Sequence, residues 1–536
     1  MTSDQQVVIV GAGPVGMVLA LDLASRGVRS TVIERNTAHR AYPKGNTHNC
    51  RTMEHYRRLG LADAVRAVGL PPEHPTDVAY LTRLNGYELH RHRMPSAAEK
   101  LAEVADQVPE PLHRANQMYV EQVLFDRLLR TEHITCLLGT EFLGFEDTGD
   151  GVEVRTRPAG GGPEQVVTGR YLVGCDGSRG MVRRQLGIPY EGGAEELGFL
   201  SGLRRSKHLR IPSLIKDVVR EPAWQYWLVR PGRIATLITL DARDEFRMSV
   251  IQGDADDDEA LRAFIDDCVG EHVDVEILGS QDWVAGLALV ADRYQHGRVL
   301  LCGDAAHLFT PTGGFGMNTG IDDAANLAWK LAADIRGWAG VSLVDSYEAE
   351  RRPAGQRNTR AAIDLARPVR DIPLAPALDE DSDEGRRARA DIAPRLAALK
   401  EEFASLGVQL GTRYEGSPII WPDGTPPPEN PYDRYVPTAR PGARAPHLWL
   451  SPTESLFDVL GPGFTLLRLA DRDTDCLVMA AERREIPLTV VDVPLARHLY
   501  ECDLALIRPD QHVAWRGNEL PDSDELLARV TGGVTR

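Results

Sequence analysis

The sequence predicts an α/β protein built on a Rossmann-type dinucleotide-binding unit that is interrupted by an antiparallel sheet. The first supporting observation is segment 7–16, where four apolar residues run into a Gly-x-Gly-x-x-Gly turn and an apolar helix. The second is segment 224–251, which holds three strand-like stretches, two of them around a hairpin signal at Pro231 and Gly232. Apolar strands of the first kind return at 171–174 and 298–302, so the antiparallel sheet is expected as an insertion.

The opening turn has the residues that a pyrophosphate requires. Gly11 permits the tight turn, Gly13 lets the backbone approach the pyrophosphate, and Gly16 lets the helix pack on the strand. The helix N-terminus offers free N–H groups to the phosphates, and Glu34 can accept both ribose hydroxyls. The turn predicts a bound dinucleotide, without distinguishing FAD from NAD(P), at Gly11, Gly13, Pro14, Val15, Gly16, Glu34 and Arg35.

The composition and net charge of the chain limit the classes of function that it can have. A chain of 536 residues should form roughly two to four domains, and 43% hydrophobic with 26% charged residues is ordinary for a soluble protein. The net charge of −17 disfavours a nucleic-acid or anionic-membrane partner. We find no targeting segment and no apolar stretch of the ~20 residues that span a bilayer. Seven cysteines without a CxxC pair predict free thiols in a reducing cytoplasm and no metal site.

The other segments predict further elements. Residues 134–157 alternate like a hairpin around Gly149 and Gly151. Residues 368–392 are acidic and contain proline, which predicts a solvated, mobile connection, and 422–446 predicts a second linker. The rest of the chain again alternates strands and helices.

Two further motifs accompany the opening turn: Cys175-Asp176-Gly177, with Arg183 beyond it, and the glycine-rich run from Gly303 to Asn318. Together the three resemble the para-hydroxybenzoate hydroxylase family, the single-component FAD-dependent aromatic monooxygenases. The resemblance covers essentially the whole chain. Residues 406–428 and 500–517 are similar to its branch of phenol, chlorophenol and polyketide hydroxylases. That branch implies a GR2-type Rossmann FAD-binding domain, an inserted substrate domain and a C-terminal thioredoxin-like domain, here without a CxxC motif.

The resemblance also divides the chain into parts. FAD-binding segments are expected at 1–75, 105–185 and 286–370, and substrate-domain segments at 76–104 and 186–285. A linker with a helix is expected at 371–430, followed by the thioredoxin-like domain at 431–536.

The family's flavin contacts fall on identifiable residues. Asp304 is implied to accept a ribityl hydroxyl, and the next helix is implied to aim its N-terminus at the flavin's N1–C2=O edge, with Asp322 and Asp323 in its first turn. Arg51 and Gln117 are implied to hold FAD, although an ordinary salt bridge or helix surface would also explain them. Asp176 matches a motif linked to FAD and NADPH, in which Gly180 replaces the family's usual serine. The loop implied to lie along the isoalloxazine contains Pro311, Gly314, Gly316, Met317 and Asn318.

The implied reaction is hydroxylation of a phenolic or other electron-rich ring. NAD(P)H would reduce FAD, dioxygen would give a C4a-hydroperoxyflavin, and the ring would take one oxygen atom. Phenol hydroxylases use an Asp where this chain has Asn46, so the catalytic base is expected elsewhere: His48 and Tyr226 are the candidates, beside Pro311 and Gly314 of the loop. Baeyer–Villiger oxidation, epoxidation and a non-catalytic flavin sensor are the alternatives. The substrate, the choice of NADH or NADPH, and homo-oligomerisation stay open.

Overall fold

The computed structural model describes residues 6–39, 42–103, 107–195, 197, 201–251 and 257–533. The strands are β1 (Val7–Val10), β2 (Ser30–Glu34), β3 (Thr47–His48), β4 (Val78–Leu81), β5 (Glu88–His92), β6 (His113–Arg114), β7 (Ile134–Leu138), β8 (Thr140–Asp147), β9 (Val152–Pro158), β10 (Gln165–Gly169), β11 (Tyr171–Gly174), β12 (Tyr190–Ala194), β13 (Gly202–Arg210), β14 (Gln225–Arg230), β15 (Arg233–Thr239), β16 (Glu245–Ile251), β17 (Glu276–Ala285), β18 (Leu287–Ala291), β19 (Gln295–His296), β20 (Val299–Leu301), β21 (His307–Leu308), β22 (Phe464–Arg468), β23 (Leu488–Asp492), β24 (Leu504–Ile507) and β25 (Val513–Gly517).

The helices are α1 (Pro14–Ser25), α2 (Cys50–Arg58), α3 (Ala62–Arg66), α4 (Ala97–Ala102), α5 (Gln117–Arg130), α6 (Met181–Gln185), α7 (Leu214–Asp217), α8 (Asp258–Val269), α9 (Phe315–Ile335), α10 (Ser346–Arg370), α11 (Asp383–Ala397), α12 (Lys400–Phe403), α13 (Leu406–Leu410), α14 (Asp475–Arg483), α15 (Arg497–Tyr500) and α16 (Ser523–Val530). Among the described residues, no helix combines the length and hydropathy that crossing a bilayer requires.

A six-stranded sheet in the order β19-β20-β11-β1-β2-β7 carries the opening turn. β20, β11, β1, β2 and β7 run parallel, and parallel strands are covered on both faces, which explains why β1 and β11 are continuous buried runs. α1 begins at Pro14, a residue suited to the first helical turn, and packs against α9 and α5. The predicted strand–turn–helix unit is confirmed.

A seven-stranded sheet follows the order β17-β13-β16-β15-β14-β4-β5 and is antiparallel except between β14 and β4. The predicted hairpin is confirmed, with Gly232 at a φ of 71° in the turn between β14 and β15. Because successive strand residues alternate, Gln225 and Trp227 share one face of β14 and Tyr226 takes the other. Tyr226 packs in a cluster with residues of α8, and the opposite face borders a cavity.

The acidic segment 368–392 is not the solvated connection expected from its composition. α10 extends to Arg370, and α11 buries Ile392 and Leu396 in a core that contains Trp227. Asp379 pairs with Arg230 at 2.8 Å. The prediction was wrong because it rested on the composition of the whole segment, in which a short acidic run hides the apolar spacing of the amphipathic helix that follows it.

The C-terminal part forms a four-stranded sheet in the order β23-β22-β24-β25, parallel between β22 and β23 and antiparallel elsewhere. With α14 between β22 and β23 and α16 after β25, this is the thioredoxin-like arrangement that the resemblance implies. Trp329 of α9 packs edge-on against Phe464 of β22, with ring centroids 5.9 Å apart. The C-terminal part therefore shares a core with α9.

Candidate active site

A cavity of about 430 Å³ lies between the glycine-rich turn before α9, the seven-stranded sheet and α12. Its aromatic lining consists of Trp224, Trp227, Trp283, Phe309, Phe315 and Phe403. Its charged lining includes Arg114, Arg204, Arg247, Asp304 and Glu402. An apolar cavity with a few convergent polar groups is typical of a small-molecule site.

The opening glycine turn forms an accessible cradle. A Cβ atom at Gly11 would lie 2.4 Å from the Cys175 carbonyl oxygen, and one at Gly16 would lie 2.1 Å from that of Gly11, so both positions require glycine. At Gly13 no atom lies within 4 Å of such a Cβ, and α1 has no side-chain cap. The N-terminus of α1, formed by Pro14 and Val15, is therefore open to an anion.

The acid at the end of β2 completes this cradle. Glu34 Oε2 accepts a hydrogen bond of 3.0 Å from the Ala12 amide, so the carboxylate lies beside the turn, and Arg35 follows directly. These residues fit the pyrophosphate and ribose of a dinucleotide.

The second glycine turn brings the N-terminus of α9 to the cavity. Gly313 and Gly314 have φ values of 71° and 65°, in the left-handed region that favours glycine, and Gly314 precedes α9 without a side-chain cap. An uncapped helix end suits the negative charge of a reduced flavin. The predicted flavin residues that line this part of the cavity are Asp304, Pro311, Gly314, Gly316 and Met317.

Three other predicted cofactor residues, Asn318, Gln117 and Asp176, also form hydrogen bonds with protein groups. Asn318 Oδ1 accepts hydrogen bonds from the Asn49 amide (2.9 Å) and the Thr52 hydroxyl (2.7 Å), so this side chain ties α2 to α9. Gln117 lines the cavity. Asp176 accepts from the Val182 amide through Oδ2, whereas its buried Oδ1 has no hydrogen-bond partner among the described residues. Their contacts with FAD stay predictions.

Arg51 lies in a buried network behind the cavity. It donates to Glu54 at 2.9 Å, to Asp322 at 3.2 Å and to the Asp510 carbonyl at 2.6 Å, and its contact with FAD stays a prediction. Asp322 and Asp323 lie two turns into α9, not in its first turn as expected, because the helix begins at Phe315, seven residues earlier. They form ion pairs with Arg351, so they are structural charges and not helix caps.

Neither residue predicted as the base lines the cavity. Tyr226 lies on the opposite face of the sheet, its hydroxyl accepts from the Ala223 amide at 2.8 Å, and burial raises its pKa to about 12. His48 is fully buried, contacts Tyr56 with ring centroids 5.9 Å apart, and burial lowers its pKa to about 3. Their catalytic roles stay predictions that this placement does not support.

The cavity holds a cation that the sequence reasoning missed. Arg247 on β16 donates to Ser206 Oγ at 2.8 Å, while its Nε has no hydrogen-bond partner among the described residues, and no described carboxylate forms an ion pair with it. Burial lowers the pKa of this guanidinium. The available signal was alternation: polar residues recur at every second position of β13 and β16 on the face away from α8.

Arg114 and Glu402 occupy another side of the cavity. The Arg114 guanidinium stacks on Trp224 at 3.9 Å, and Trp224 meets Phe403 edge-on with ring centroids 6.5 Å apart. Glu402 precedes Phe403 on α12, and its side chain is buried with Oε2 unpaired among the described residues. No sequence signal pointed to Glu402, since its segment was assigned to a linker.

A second set of buried charges joins α2, α9 and α10 to the C-terminal part. Arg508 contacts Glu350 at 2.6 Å and Lys330 contacts the same carboxylate at 2.7 Å. Arg444 donates to Glu54 at 3.0 Å. Each of these groups is almost fully buried, and each cation has an acidic partner.

Comparisons with known proteins agree with this geometry. A family model described as FAD binding domain matches residues 4–362, and one described as aromatic-ring hydroxylase, C-terminal, matches residues 438–533. The chain is 31% identical to a putative polyketide hydroxylase of Streptomyces halstedii, over 97% of this chain and 94% of that protein. RebC soaked with chromopyrrolic acid and holding 7-carboxy-K252c has a TM-score of 0.90 at 36% identity, with 99% of each chain covered. Aklavinone-11 hydroxylase with FAD and aklavinone has a TM-score of 0.80 at 26% identity, with 99% of this chain and 100% of that chain covered.

Proposed function

This chain belongs to the FAD-dependent aromatic-ring hydroxylases, and we propose that it hydroxylates a planar, multi-ring aromatic acid that carries a ring hydroxyl. When bound, FAD reduced by NAD(P)H supplies the activation of dioxygen and the transfer of one oxygen atom to the ring. The chain's own residues bind and orient the ring, exclude water and provide charge. The observation that carries the proposal is Arg247, a cation that faces the cavity and forms no ion pair with any described carboxylate.

The shape and lining of the cavity favour a substrate larger than simple phenol. Trp224, Trp227 and Trp283 offer flat apolar surfaces that suit fused rings. Such walls also keep water from the reacting ring, which protects the oxygen transfer from loss as peroxide.

The acidic group is inferred from charge. A guanidinium removed from water without a counter-charge is costly, and a ligand carboxylate would compensate it with strong hydrogen bonds. Ser206 holds one nitrogen of Arg247 and leaves Nε available. Among the neighbours, RebC was solved with 7-carboxy-K252c, a ligand whose name includes a carboxy group.

The proposal is tested with a matched pair of compounds, 6-hydroxy-2-naphthoic acid and its methyl ester. We expect the acid to stimulate NAD(P)H oxidation and to gain one atom from ¹⁸O₂, with little peroxide. In Arg247→Met, we expect KM for the acid to rise roughly 10-fold to 100-fold, as for the loss of a charged hydrogen bond, and KM for the ester to stay unchanged.

Arg210→Gln is the matched control, because Arg210 lies on the same sheet but pairs at the surface with Glu276. Equal KM changes for acid and ester in Arg247→Met, or a wild-type enzyme that prefers the ester, would contradict the acidic substrate. Oxygen inserted between ring carbons would indicate Baeyer–Villiger chemistry instead.

We also propose a reducing, cytoplasmic setting, supported by the seven free cysteines. Homo-oligomerisation is a proposal to be tested by light scattering on the purified protein.

A further inference from the structure

We propose that Glu402 is a further catalytic residue, whose carboxylate accepts the proton of the substrate's ring hydroxyl. The inference rests on the proposed function, because it requires a hydroxylated ring in the cavity. It assigns the base that the sequence analysis sought at His48 or Tyr226, on an element where no base was expected.

The position of Glu402 carries the inference. α12 packs against the turn Thr312–Gly314, so this carboxylate and the turn before α9 border the same cavity. The residue is 9% exposed, and Oε2 accepts no hydrogen bond from any described residue. The other carboxylate in the lining is Asp304, on the side implied to hold the flavin. Glu402 is therefore the acid left to meet the substrate.

The charges around Glu402 suit a base. Arg114 on β6 is the cation whose field favours the ionised carboxylate, and its stacking on Trp224 holds the guanidinium in place. Tyr80 on β4 is the other titratable group coupled to Glu402, and burial keeps its pKa well above the usual range, so it stays neutral. Burial raises the pKa of Glu402 to about 8, with Arg114 opposing the rise. A base acts best with a pKa near the working pH.

The step balances without an added reagent. The O–H bond of the substrate breaks, a new O–H bond forms on Glu402, and the electron pair stays on the ring oxygen. The ring becomes more electron-rich, which favours its attack on an electrophilic oxygen. Glu402 then returns the proton to water as the product leaves, and its own oxidation state never changes.

The test compares Glu402→Gln with Glu401→Gln, a matched control because Glu401 is exposed one residue earlier on the same helix. With 6-hydroxy-2-naphthoic acid, wild-type hydroxylation should rise with pH and level off near pH 8. In Glu402→Gln we expect a loss of about 100-fold at pH 7.5 and a flat pH profile below the ionisation of the free substrate. Flavin content and NAD(P)H-dependent flavin reduction should match the control, and Glu402→Asp should restore part of the rate.

Wild-type rates and an unchanged pH profile in Glu402→Gln would overturn the assignment. An equal loss in Glu401→Gln would do so as well, because the effect would then belong to the helix and not to the carboxylate. If wild-type protein hydroxylates no tested acid, the proposed function fails. In that case the pKa of Glu402 is measured without a substrate, from the pH dependence of its carbonyl infrared band, which is identified by its absence in Glu402→Gln. A pKa in the usual range of a glutamate would overturn the inference.

Discussion

Buried charges at the interface with the C-terminal part and between α9 and α10 are paired, whereas Arg247 and Arg114 in the cavity form no ion pair with a described carboxylate. Between α10 and α9, Arg351 contacts two carboxylates, and at the interface Arg444 and Arg508 each contact one or two. In the cavity, Arg247 has no described carboxylate partner and Arg114 stacks on an aromatic ring. Removing a charge from water costs several kcal/mol unless a partner compensates it. Folding therefore accounts for the interface charges, and the cavity charges call for a ligand.

The largest effect is expected from breaking a buried ion pair. Arg351→Met leaves Asp323 buried without its arginine and leaves Asp322 with Arg51 as its remaining arginine, which should lower the free energy of unfolding by about 3–5 kcal/mol. Urea unfolding followed by circular dichroism measures this. Arg468→Gln, which removes an exposed pair with Asp492, is the control and should change stability by less than about 1 kcal/mol. Similar losses in both variants would remove the distinction between buried and surface pairs.

The interface should also fail in acid. Burial opposes ionisation of Glu350, but Arg508 and Lys330 outweigh it and lower its pKa to about 2. Because the folded pKa lies below the unfolded value of 4.5, this stabilisation is complete above that pH and is lost as pH falls toward 2, by up to about 3 kcal/mol. Urea midpoints measured between pH 6 and 3 should fall less steeply in Glu350→Gln than in wild type. Parallel slopes would contradict this assignment.

Asp304 tests the flavin side of the cavity. Asp304→Ala should bind FAD about 10-fold to 100-fold more weakly, since a charged hydrogen bond is lost, and should purify with little yellow colour. The apoprotein should unfold at the same urea concentration as wild-type apoprotein, because no described residue forms an ion pair with this carboxylate. Full flavin content in the variant would show that Asp304 does not hold the cofactor.

The smallest effect, and one of opposite sign, is expected for stability in Arg247→Met. Replacing a partly buried cation that forms no ion pair with a described carboxylate should leave the free energy of unfolding unchanged or raise it by about 1 kcal/mol. Differential scanning calorimetry of the ligand-free protein measures this. A loss as large as that of Arg351→Met would mean that Arg247 stabilises the fold, and it would contradict the distinction between cavity charges and paired buried charges.

Sequence reasoning found the residues whose role depends on the backbone. Gly11 and Gly314 were recognisable because a tight turn or a left-handed φ restricts the residue type, and Gly13 because the fingerprint requires close approach of a pyrophosphate to the backbone. The sequence did not reveal the roles of the buried charged residues, because their partners lie hundreds of positions away. Arg51 donates to the Asp510 carbonyl, and Arg444 pairs with Glu54. The position of Arg247 could have been predicted from the alternation of polar residues along its strand. The position of Glu402 depends on how a short helix packs against the cavity, and no local sequence pattern predicts that packing.

A crystal structure of the holoenzyme with 6-hydroxy-2-naphthoic acid would show directly whether Arg247 and Glu402 bind the substrate in the cavity. We expect the ring within the cavity against Trp227, its carboxylate within hydrogen-bond distance of Arg247 and its hydroxyl within hydrogen-bond distance of Glu402. A ring bound with its carboxylate turned to solvent, or bound outside this cavity at turnover concentrations, would contradict this expectation.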